Sequence, residues 1–260
     1  MSSIRQPAMA GHFYPAEPAE LETWLAAHIT APPVHWPVPQ ILLLPHAGYL
    51  YSGKLAAAGV SRLPAGVYQR LIILSPAHRM PVQGVALPGA DCTGFATPLG
   101  EMPLDHAGIA ALHDQPQVTQ LALAHQQEHA IEVLLPMLRY RLGPLPVLPL
   151  VVGQMTPEAL LDLLLPLLDQ YTLLVISSDL SHYLSYREAQ AQDTLTLAQI
   201  LALDASLQPE QACGHTAINM ALLLSRKRML LPALVGQHNS GDITGERTRV
   251  VGYACLSFID

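Results

Sequence analysis

With 260 residues, half of them hydrophobic, the chain has the apolar mass for a sizeable core and is not a disordered polypeptide. Charged residues make up only 13%, the formal net charge is -7, and Lys and Arg are scattered apart from Arg226-Lys227-Arg228, so no basic face for nucleic acid is expected. Neither the N-terminal MSSIRQPAMAGHFYP, which lacks an apolar core of signal-peptide length, nor ALLDLLLPLLDQYTLLVISS, interrupted by Asp162, Pro166 and Asp169, reads as an export or membrane segment; a soluble, cytoplasmic protein is expected.

The first apolar run, QILLL (40–44), stops at PHAGYLYSG, so a short strand with His46 just past its end is expected. RLIILS (70–75) is a second strand and runs into PAHR, with His78 three residues past Ser75. Cys92 follows in the GADCTGF stretch, read as a loop, with no neighbour that points to chemistry. EHAIEVLLPMLRYRL (128–142) has the apolar spacing of three and four that predicts one helix. VLPLVVG (147–153) predicts a strand, PEALLDLLLPLLDQ (157–170) a helix, and TLLVISS (172–178) a strand ending in DLSHY. YREAQAQDTLTLAQILAL (186–203) and TAINMALLLSRK (216–227) predict helices, and RVVGYACLSF (249–258) the last strand. Short apolar strands separated by helices predict an α/β fold with a mainly parallel central sheet and helices on both faces. No repeat, low-complexity tract or long linker divides residues 1–260, so one domain is expected, with the 23 prolines marking loops.

Cys92, Cys213 and Cys255 lie far apart and are expected to be free thiols, Cys255 as an inert residue inside the last strand. The unusual count is histidine, 12 against 13 Lys plus Arg, which directs a search for ligands or proton carriers. In open α/β sheets ligands gather beyond the carboxyl ends of the strands, and three strands deliver His46, His78 and the pair Asp179 and His182 to that edge. A common crevice is expected, although any one such histidine alone would be unremarkable. Asp179 either caps a helix or orients His182. Glu128, four residues before Glu132, either serves simple helix-start electrostatics, or it or His129 faces the crevice and orients a ligand imidazole. In QACGHTAIN, Cys213 and His215 precede a helix whose N-terminus can lower a thiol pKa, so Cys213 is either reactive or a small buried hydrophobe.

RQPAMAGHFYP, PHAGYLYSG, ILSPAHR, EHAIEVLLP, VISSDLSHY and CGHTAI, in that order over nearly the whole chain, resemble the Memo family, whose bacterial and archaeal members are called AmmeMemoRadiSam system protein B. The resemblance implies a fold related to the class III extradiol ring-cleavage dioxygenases and one metal ion held by two histidines and a cysteine. Carried over by motif, these are His46 in PHAGY, His78 in SPAH and Cys213 in CGH. Imidazole and thiolate suit iron, copper and zinc; the dioxygenase relatives put iron first, with copper and zinc as alternatives. The family name implies an AMMECR-type protein and a radical-SAM enzyme as partners.

Two imidazoles and one thiolate leave coordination positions open, as a reactive site requires. For an extradiol-type reaction a histidine outside the ligand set carries protons. His182 is the expected carrier, with Asp179 to orient or charge-stabilise its ring and His129 in reserve. Tyr49, Tyr51, Glu128, His215 and His12 are expected around the pocket. The leading expectation is a dioxygenase-like oxidoreductase acting on an unknown small molecule or modified residue. Against it stands a non-enzymatic adaptor whose crevice binds a peptide or carries a metal for a partner. A hydrolase with Cys213 as nucleophile and His182 as base ranks lower, because nothing in the sequence fixes a thiol–imidazole contact.

Overall fold

The uninterrupted apolar runs become strands covered on both faces. The computed structural model describes residues 3–33 and 35–260. Its strands are β1 (Ser3–Arg5), β2 (Ile41–Leu44), β3 (Arg70–Pro76), β4 (Val85–Leu87), β5 (Cys92–Thr97), β6 (Gly100–Pro103), β7 (Val118–Gln120), β8 (Val147–Val152), β9 (Thr172–Ser177), β10 (His182–Leu184), β11 (Leu231–Asn239) and β12 (Val250–Ile259). Its helices are α1 (Pro18–His28), α2 (Lys54–Val60), α3 (His106–Leu112), α4 (Ala122–Gln126), α5 (His129–Glu132), α6 (Leu135–Leu142), α7 (Pro157–Leu164), α8 (Tyr186–Leu201), α9 (His215–Arg228) and α10 (Ser240–Thr244).

The large sheet runs β10-β12-β2-β9-β3-β8-β4-β7, with β11 also paired to β12, and a small sheet runs β1-β5-β6. The centre, β2-β9-β3-β8, is parallel throughout. Antiparallel pairs flank it, β12 with β2, β10 and β11 on one side and β4 with β8 on the other. The sheet is therefore mixed, parallel where the apolar runs are longest. Alternation sorts its side chains: Leu42, Leu44, Leu71, Ile73, Leu173 and Val175 pack with Leu21, Leu25 and Val60, while Ile41, Leu43, Ile72, Leu74, Leu174 and Ile176 pack with Leu160, Ile218 and Leu222. At about 1.5–3 kcal/mol for each buried aliphatic side chain, a polar residue inside these strands would be costly, and in β3 and β9 polar residues stand only toward the two ends.

The single helix expected over 128–142 is broken into α5 and α6. Pro136 has no N–H to donate and its ring crowds the carbonyl of residue 132, so the chain restarts its helix at Leu135. Pro166 likewise ends the regular part of the helix expected over 157–170, which closes in a tighter turn over Leu165–Leu167. Pro232 and Gly236 disguise β11 in the sequence. Among the described residues, no helix is long and apolar enough to cross a membrane.

Candidate metal centre

Because β2, β9 and β3 are parallel neighbours, their carboxyl ends line up. His46 lies two residues past β2, Asp179 two past β9 and His78 two past β3. The segment before α9 crosses this edge and adds Cys213. Ligand atoms of His46, His78 and Cys213 all lie within 4.8 Å of one another, and Cys213 Sγ is 3.6 Å from His46 Nε2. Metal bonds of about 2.0–2.3 Å hold donors within roughly 4.6 Å of each other, so the cluster is already close to the required size.

His46 is buried, and its ring nitrogens have distinct jobs. The Ser177 hydroxyl donates to the Ala130 carbonyl at 2.6 Å, so it can only accept from His46 Nδ1, 2.8 Å away. Nδ1 therefore carries the proton and the Nε2 lone pair faces Cys213. Burial, then the neighbouring His78, hold the His46 pKa down to about 3, so the ring is neutral and able to ligate.

His78 donates Nδ1–H to Glu128 Oε1 and its backbone N–H to Glu128 Oε2, both at 2.9 Å. Glu128 Oε1 also accepts the Ala130 N–H at 3.0 Å, capping α5. The two readings of Glu128 as a helix-start carboxylate and as an orienting partner thus coexist in one side chain. Burial raises the Glu128 pKa, but the His78 contacts and the Ala130 N–H outweigh it and bring it to about 2. A fixed carboxylate on Nδ1 leaves Nε2 as the free donor of His78.

Cys213 Sγ accepts the Asp179 N–H at 3.3 Å. Gly214 N–H donates to Ser178 Oγ at 2.8 Å, and a Cβ on Gly214 would stand 2.7 Å from Ser178 Cβ and 3.1 Å from the Ser177 carbonyl. Only glycine lets the cysteine segment rest this closely on the end of β9. The thiol pKa is pushed up to about 12 by burial and then by the Asp179 carboxylate, opposite to the lowering expected from the helix terminus. Withdrawal of the sulfur from water outweighs the few N–H groups that favour its anion. A bound cation reverses that balance. Two imidazoles held by Nδ1, beside a thiol that needs a cation in order to ionise, fit a metal of the imidazole and thiolate class.

His129 stacks on His78, with centroids 4.7 Å apart, and meets His46 edge-on at 5.3 Å. Its Nδ1 lies 3.4 Å from Glu128 Oε1 and has no hydrogen-bond partner among the described residues. Burial, then His46, lower its pKa to about 4. The imidazoles open into a cavity of about 690 Å³ whose walls include His12, Phe13, Tyr51, His182 and Tyr183. Tyr183, between His182 and Leu184, has a φ of 61°, where the pairing of β10 with β12 shifts register.

Three expected placements differ. Asp179 is neither a helix cap nor hydrogen-bonded to His182; its Oδ1 accepts the backbone N–H of His46 at 2.9 Å, because its position past β9 faces the neighbouring β2 end. Tyr49 turns into the core, donating its hydroxyl to the Val133 carbonyl at 3.2 Å against Trp24. His215 lines a different cavity, together with Cys213. Ser177 escaped the sequence reading; its only signal is a hydroxyl closing an otherwise apolar strand. In the sequence Glu132 is only a helix-face partner of Glu128. It is fully buried and accepts from Arg5, the Ala8 and Met9 N–H groups and the Tyr14 hydroxyl, pinning the segment that carries His12 and Phe13.

The model of the family described as Memo-like protein matches residues 5–257. A MEMO1 family protein of Archaeoglobus fulgidus is 31% identical over 271 residues, covering 98% of this chain and 99% of that protein. One of Aquifex aeolicus is 31% identical over 274 residues, with 98% and 99% covered. Among solved structures, the uncharacterised protein JW3007 of Escherichia coli K12 is similar with a TM-score of 0.51 at 14% identity, over 83% of this chain and 98% of that one. That likeness concerns the fold alone.

Proposed function

The chain belongs to the Memo family, and on that premise we propose that it binds one metal ion through His46, His78 and Cys213 and uses it in a dioxygenase-like oxidation of a small molecule or modified residue. The observation that carries this reading is the convergence of those three donors within 4.8 Å at the carboxyl ends of parallel strands. Iron ranks first, with copper and zinc as alternatives, and when bound would supply Lewis acidity and redox chemistry at open coordination positions. The protein's own groups do the rest. Glu128 and Ser177 fix the two imidazoles in the ligating tautomer, His182 and His129 are imidazoles able to move a proton at the cavity wall, and Phe13 helps to cover the space above them.

Anaerobic loading with iron(II), copper(I) or zinc(II), followed by metal analysis and oxygen uptake, tests this. About one equivalent is expected in the native protein and a sharp loss in His46→Ala, His78→Ala and Cys213→Ala. Unchanged metal content in all three variants removes the proposal. Tyr183, 64% exposed on the cavity wall, favours a second reading in which the cavity binds a peptide without turnover. Metal binding with no oxygen uptake in the presence of candidate substrates would select that reading.

A further inference from the structure

Cys213 and the histidines of the donor cluster line different spaces. The 690 Å³ cavity is walled by His46, His78 and His129, and Cys213 is not part of its wall. A second cavity of about 560 Å³ lies beyond the ends of β3 and β8 and is walled by Cys213 with Pro81, Val82, Val152, Met155 and Ala217. Cys213 Sγ, of the second wall, is 3.6 Å from Nε2 of His46, of the first. Their chemistry also differs. Asp179, Glu246 and Arg249 line the first cavity, whereas no Asp, Glu, Lys or Arg lines the second. His215 is on the second wall, and its Nδ1 is buried without a hydrogen-bond partner among the described residues.

We propose that the second cavity is a separate port to the sulfur side of the cluster, taking a small uncharged molecule while a larger ligand occupies the histidine side. An ion entering the second cavity would shed water and meet no charged side chain of Asp, Glu, Lys or Arg, a cost an uncharged solute avoids. The meaning of the port rests on His46, His78 and Cys213 forming one metal centre: a small co-substrate such as dioxygen would reach that centre without passing the larger ligand. The port itself is a property of the metal-free chain, so it is tested there.

The test is labelling of Cys213 in metal-free protein at alkaline pH by methyl methanethiosulfonate, which is uncharged, and by its anionic sulfonatoethyl analogue, read by mass spectrometry with Cys92 as internal reference. The Cys213 thiol gives its proton to solvent, the thiolate sulfur bonds to the reagent's thio sulfur, and the sulfinate leaves. The uncharged reagent is expected to label Cys213 about ten-fold faster than the anionic one, relative to Cys92. Met155→Trp, which narrows the second cavity, is expected to slow labelling about ten-fold, and Thr244→Trp, on the wall of the first, to leave it unchanged. Thr216→Trp, also on the second wall, repeats the reading if Met155→Trp does not fold. Equal rates for both reagents, or slowing by Thr244→Trp alone, overturns the port. Failure of the chain to load metal leaves this result untouched and counts only against the metal centre.

Discussion

Glu128 grips His78 at two points, taking the ring Nδ1–H on one oxygen and the backbone N–H on the other, each at 2.9 Å. The ring can neither flip nor change tautomer without breaking a charge-assisted bond. In Glu128→Gln the amide NH₂ would oppose one of those N–H donors. Metal affinity is expected to fall about 10- to 100-fold with the fold retained, measured by competition with a chelator. An affinity within a factor of about two of the native value would show that His78 needs no such support.

His182 stands on the cavity wall outside the three-donor cluster. His182→Ala is therefore expected to keep its metal and to lose turnover or dioxygen reactivity. Metal analysis and oxygen uptake on the same sample decide the matter, since loss of the metal would make His182 a ligand.

Glu132 is buried completely and satisfies four donors from the N-terminal segment. In Glu132→Ala the Arg5 guanidinium, only 8% exposed, is left without its carboxylate. A loss of about 3–5 kcal/mol in denaturant unfolding is expected, with a smaller loss in Glu132→Gln. A cost below roughly 1 kcal/mol would mean that water replaces the carboxylate.

His125, on α4, is buried with Nε2 2.9 Å from the Ala86 carbonyl, and burial lowers its pKa from 6.5 to about 4. The unfolded chain takes up the proton first, so this contribution to stability is whole above pH 6.5, falls as the pH drops to about 4, and is level below that. Its size is about 3 kcal/mol, at roughly 1.4 kcal/mol per pH unit. In metal-free protein, His125→Gln should lose less stability between pH 7 and pH 4 than the native chain, by about that amount. Parallel curves would show that His125 accepts its proton within the fold.

The parallel centre of the sheet and two imidazoles at its edge were legible because both follow from local pattern: an apolar run must end, and what ends it is a histidine. Relationships between distant segments were not. Nothing near Asp179 announces that its carboxylate serves the His46 backbone, 133 residues away. Nothing near Cys213 foretells that burial outweighs the helix terminus. Pro136 was visible within a strongly periodic stretch, and periodicity concealed the break it causes. The glycine in CGHTAI looks like a turn residue, while in space it is the point where one segment lies on another.

His182 and Tyr183 hang from β12 at the margin of the sheet, through a bulge, while both histidine donors stand on its parallel centre. Changes at 182–184 or 249–251 can therefore re-aim the outer wall and its imidazole without moving His46 or His78. A lineage built on this scaffold is free to reshape the outer wall of the cavity by altering the margin, with the pair of imidazoles as its fixed inheritance.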